Sequence, residues 1–61
     1  MPLALTEPAE RRRYTISARL ATEQVLIDYT RSRGWGREVK RHEATCRRLQ
    51  HLLDELDDAT Q

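Results

Sequence analysis

The chain has 61 residues, of which 34% are charged and 38% hydrophobic, and its 11 basic and 10 acidic residues leave a formal net charge of +1. This length makes one thin domain at most, the balanced charge gives no general attraction for nucleic acid, and no apolar run approaches the roughly 20 residues that span a bilayer. Because Cys46 is the single cysteine, an internal disulfide is excluded, and we expect a cytoplasmic protein with a reduced thiol.

The first half of the chain predicts a short extended arm followed by one long helix. Pro2 has no backbone N–H to donate, which favours an extended arm over residues 1–5. Thr6 is a suitable capping residue, and Pro8 is tolerated in the first turn of a helix. Helix 1 is therefore expected to run from about residue 6 to residue 33.

A turn is predicted at residues 34–36, where two glycines flank Trp35. Each glycine costs roughly 1 kcal/mol inside a helix relative to alanine, and Gly34 suits the left-handed residue that ends one. Helix 2 is expected over about residues 37–57, with residues 59–61 frayed because acidic side chains face the negative end of the helix dipole. A short loop between two long helices predicts an all-α antiparallel hairpin over residues 6–58.

Helix 2 carries the clearest pattern in the chain, with seam residues at alternating steps of three and four. This is the spacing of a helix that packs against another helix along one seam. The predicted seam residues of helix 2 are Val39, His42, Cys46, Leu49, Leu53 and Leu56.

Helix 1 carries two apolar stripes on nearly opposite faces. The first consists of Tyr14, Ala18, Ala21 and Val25. Its small alanines allow close approach to helix 2, so this stripe is assigned to the hairpin seam. The second consists of Ile16, Leu20 and Ile27.

The second stripe then lacks a partner within the chain, although burying each of its side chains is worth about 1.5–3 kcal/mol. We expect it to form, together with Trp35, the interface with a second copy or another protein. Two hairpins would dimerise into a four-helix bundle or coiled coil. The alternative is one wide stripe on a twisted hairpin, with Ile16 or Ile27 partly exposed.

His42 and Cys46 lie one helical turn apart, and two such pairs in a dimer offer the two histidines and two cysteines of a zinc site. The favoured interpretation is that both side chains pack in the seam. His42 is then the polar seam residue that sets the register of the two helices. No metal, cofactor or catalytic residue is predicted.

Two arginine clusters lie beside aromatic residues and are compatible with phosphate contact. They are Arg11, Arg12 and Arg13 next to Tyr14, and Arg31, Arg33 and Arg37 around Trp35. The sequence predicts a non-enzymatic homodimer that acts through protein–protein contact as a regulator, inhibitor or adaptor. The alternatives are a nucleic-acid-binding transcriptional regulator that uses these arginines and a zinc-bridged dimer.

Overall fold

The protein is a two-helix hairpin in a computed structural model that describes the backbone of residues 3–60 and the side chains of residues 8–58. Helix α1 spans Leu3–Ser32 and helix α2 spans Gly36–Thr60. The two pack side by side, and the Cα atoms extend over 51 × 16 × 11 Å. No strand is present in residues 3–60, and the predicted all-α hairpin is confirmed. In this part of the chain, neither helix has a stretch long and apolar enough to cross a bilayer.

Both helices extend beyond the predicted bounds. Residues 3–5 form the first turn of α1 instead of an extended arm, because leucine and alanine favour helix. Pro8 consequently lies in the second turn, where its missing N–H leaves one carbonyl without a helical donor. Residues 59 and 60 continue α2. Thr6, the predicted cap, lies inside α1 and therefore does not begin the helix. Residues 1, 2 and 61 lie outside the described residues.

The chain reverses direction through a glycine in the left-handed conformation. Gly34 has a φ of 76°, and its N–H donates to the carbonyl of Arg31 at 3.0 Å. The N–H of Trp35 donates to the carbonyl of Thr30 at 2.9 Å. These two bonds form a Schellman motif. The carbonyl of Trp35 then accepts the N–H of Val39 at 3.0 Å, so α2 begins at once.

The two glycines of the turn provide a matched pair of substitutions, since a Cβ at either position meets no atom within 4 Å. We expect Gly34→Ala to lower the free energy of unfolding by roughly 1–2 kcal/mol, because an L-residue is strained at positive φ. Gly36→Ala should raise it by up to about 1 kcal/mol, because alanine favours a helix more than glycine does. Urea denaturation measures both, and equal effects would contradict the assignment of the left-handed residue.

The inner face of α1, which packs on α2, mixes apolar and polar side chains. Its buried or half-buried residues follow steps of four and three: Ala9, Arg13, Ile16, Leu20, Glu23, Ile27 and Thr30. Glu23, Ile27 and Thr30 are each only 5% exposed, and Ile27 is the one buried apolar side chain within residues 8–58. On α2, all six residues of the predicted seam are half-buried. The hairpin therefore has a thin core in which polar groups hold central positions.

The structure reverses the predicted assignment of the two stripes of α1. Ile27 is buried and Ile16 and Leu20 are half-buried, so the chain itself covers the stripe assigned to a second molecule. The predicted seam residues of α1 are exposed instead: Tyr14, Ala18, Ala21 and Val25. The branched aliphatic side chains bury more apolar surface against α2 than two alanines would. The seam prediction is therefore wrong for α1.

Candidate interaction surfaces

A hydrogen-bonded pair of side chains joins the two helices near the middle of the hairpin. Nδ1 of His42 lies 2.7 Å from Oε1 of Glu23, whose side chain is 6% exposed. The hydrogen bond with His42 lowers the pKa of Glu23, burial opposes this, and the Arg19 guanidinium 3.5 Å away lowers the pKa further. Glu23 is thus ionised at neutral pH and can only accept, so His42 donates from Nδ1.

The other polar residues of the inner face also make polar contacts, although Nε of Arg13 is buried without a hydrogen-bond partner. The buried hydroxyl of Thr30 donates to the carbonyl of Leu26 at 2.8 Å. Arg13 forms an ion pair with Asp57 at 2.8 Å, near the open end of the hairpin. A search for apolar residues alone misses this row, because three of its members are polar. The signal is the three- and four-residue spacing, which runs through Arg13, Glu23 and Thr30 as regularly as it runs through the leucines of α2.

The chain contains one buried and one exposed Glu–His pair, and comparing them shows how much burial adds to the stabilisation by such a pair. We expect Glu23→Gln to lower the free energy of unfolding at neutral pH by about 1–3 kcal/mol, because it replaces a buried charged hydrogen bond. Glu55, which lies 3.5 Å from His51 and is exposed, is the control. Glu55→Gln should change the stability by less than about 0.5 kcal/mol.

Lowering the pH should also reveal the contribution of Glu23 to the free energy of unfolding. Since the folded-state pKa of Glu23 lies below its ordinary value of 4.5, its contribution is complete above that pH and is lost as the pH falls through the lower, folded value. Thermal unfolding followed by circular dichroism from neutral pH downward should therefore show a smaller loss of stability in Glu23→Gln than in the unmodified chain. Parallel curves for these two proteins would contradict the role of Glu23.

Cys46 and His42 have separate polar partners in this arrangement. Nε2 of Gln24 lies 3.8 Å from Sγ of Cys46, and burial, followed by Glu23 and Glu43, raises the pKa of the thiol. No group of three or more possible metal ligands occurs among the described side chains. A zinc ion on Nδ1 of His42 would have to displace the hydrogen bond to Glu23.

The face of α1 opposite α2 presents an exposed apolar row, which we call the outer stripe: Tyr14, Ala18, Ala21 and Val25. Tyr14 is 76% exposed and Val25 is 66% exposed. The hydroxyls of the flanking Thr15 and Thr22 donate to carbonyls of α1 itself, at 3.0 and 3.1 Å. The outer stripe is thus an apolar surface, and the threonine hydroxyls beside it already donate to the backbone.

A second partly exposed apolar surface lies at the turn. The rings of Tyr29 and Trp35 meet edge to face, with centroids 5.9 Å apart, and the guanidinium of Arg33 lies 5.1 Å from the centre of the Tyr29 ring. Trp35 remains 49% exposed and, with Val39, lines an open groove. Trp35 therefore covers the turn with one part of its side chain and leaves the rest exposed to solvent.

The two arginine clusters are separate in the structure. They lie about 27 Å apart along α1, at 1.5 Å per residue. Arg13 binds Asp57 and Arg31 binds Glu43 at 3.3 Å, while Arg33 stacks over Tyr29. Arg11, Arg12 and Arg37 are exposed. Arg13, Arg31 and Arg33 thus form local contacts within the hairpin, and the two clusters do not join into one continuous basic surface.

Comparisons with known proteins give no family for the chain: no family model, no curated protein and no solved structure matches it. The two exposed apolar surfaces are therefore the features of the chain that bear on its function.

Proposed function

We propose that the chain is a small non-enzymatic module of the cytoplasm that acts by helix-to-helix contact, as a regulator, inhibitor or adaptor of other proteins, and that works as a homodimer. The observation that carries this proposal is the outer stripe. A helix that packs on one face and is apolar on the opposite face has a second surface suited to another helix.

The energetics of the hairpin support this function. Covering Tyr14 and Val25 is worth about 1.5–3 kcal/mol for each side chain, a large gain for a chain with a single buried apolar side chain in its described part. The outer stripe has the spacing by which partner proteins recognise one face of an amphipathic helix. Ala18 and Ala21 at its centre let a partner backbone approach closely.

The aromatic pair at the turn supports a second contact of the same kind. Tryptophan and tyrosine are enriched among the residues that contribute most to binding energy at protein interfaces. Trp35 and Tyr29 are held by their mutual contact, so little side-chain entropy is lost when a partner covers them.

A site-specific crosslinking experiment tests the proposal. A photo-crosslinking amino acid is placed at Val25, on the outer stripe, or at His51, whose side chain is 75% exposed on the polar face of α2. In cells that produce the protein, we expect discrete protein adducts from position 25 and few from position 51. Denaturing electrophoresis with detection of the chain measures both.

Two results would overturn the proposal. One is an equal pattern of adducts from both positions, which would show that exposure alone accounts for crosslinking. The other is the absence of adducts from position 25 while the variant remains helical by circular dichroism.

A further inference from the structure

We infer that the outer stripe binds a second copy of this chain, with the two α1 helices antiparallel and a two-fold axis between Arg19 and Leu20. This inference rests on the proposed function, because it names the occupant of the same surface. It is carried by the arrangement of size and charge along α1.

The side chains of the outer stripe have matching sizes on either side of that axis. Ala18 and Ala21 lie equally far from the midpoint, and so do Tyr14 and Val25. In an antiparallel pair, each alanine therefore faces an alanine of the second copy, and each tyrosine faces a valine. The large side chains meet at both ends of a close central contact, which is the self-complementarity that a two-fold interface requires.

The charges that flank the outer stripe are complementary about the same axis. The next positions outward at the same spacing are Arg11 and Asp28, again equidistant from the midpoint. Antiparallel pairing brings opposite charges together at each of these positions. A parallel pair would place Arg11 beside Arg11 and Asp28 beside Asp28, so the charges select the antiparallel orientation.

The resulting dimer has a different shape from the predicted four-helix bundle. The inner face and the outer stripe of α1 point in nearly opposite directions, since they are separated by about half a turn at 3.6 residues per turn. Two hairpins joined through their outer stripes thus place four helices side by side in one layer. The two turns, each with its exposed Trp35, then lie at opposite ends.

Charge reversal tests the pairing in solution. Sedimentation equilibrium of the unmodified chain should show a monomer–dimer equilibrium. We expect Asp28→Arg to weaken the dimer by at least about tenfold, because it places arginine against Arg11 at two symmetric positions. Adding Arg11→Asp should restore the original affinity. Asp54→Arg, an exposed change on α2, is the control and should leave the affinity unchanged.

Disulfide trapping tests the orientation. Ser17 and Gln24 lie on the same edge of the outer stripe, the first 2.5 residues before the axis and the second 4.5 residues after it. In the antiparallel pair each should therefore lie within about 3 Å, along the helix direction, of the other residue of the second copy. In a Cys46→Ala background, the double variant Ser17→Cys, Gln24→Cys should form a covalent dimer on mild oxidation. The two positions within one helix are about 10 Å apart, too far for an internal bridge. Each single variant should form little covalent dimer under the same conditions.

The outcomes separate this inference from the proposed function. A chain that stays monomeric at all concentrations, or a dimer unaffected by Asp28→Arg and not trapped by the paired cysteines, would overturn the inference. If position 25 still gave adducts with other proteins in cells, the proposed role as a regulator, inhibitor or adaptor of other proteins would stand and only the homodimer would be lost. Loss of the adducts as well would overturn both.

Discussion

The hydrogen bond between Glu23 and His42 determines how the two helices align. A buried carboxylate must keep a partner, because leaving it unpaired among apolar groups costs several kcal/mol. A shift of α2 by one heptad in either direction would place Leu49 or Trp35 where His42 lies. The aliphatic residues around this pair would tolerate such a shift. The polar pair therefore contributes specificity of register, while the aliphatic side chains supply most of the stabilising burial.

The same arrangement explains why the hairpin retains an unpaired apolar face. Glu23 and Thr30 occupy central positions of the inner face and form hydrogen bonds there. Leucines at these positions would have buried more apolar surface. The remaining aliphatic residues fill the space against α2. Tyr14 and Val25 then have no place in the hairpin and stay on the far side of α1. The thin core and the exposed outer stripe thus both result from polar residues at central positions of the inner face.

The helices, the turn and the seam of α2 follow from local rules. Gly34 marks the end of α1 by its conformational freedom, and the spacing from Val39 to Leu56 marks the packed face of α2. The packed face of α1 does not follow, because apolarity alone ranks Tyr14 and Val25 above Glu23. The decisive information lies in pairs of residues across the helices, in particular the match of Glu23 with His42, and is not visible in either helix considered separately.

The brevity of the turn makes the hairpin unequal along its length. Gly34 and Trp35 tie the helices tightly at one end, whereas the Arg13–Asp57 ion pair near the other end is partly exposed to water and is screened by salt. Local opening therefore begins at the free tips of the two helices, which are remote from the turn, and it stops at the turn. Amide protons should exchange fastest near those tips and progressively more slowly toward Thr30, and that gradient should steepen as ionic strength rises.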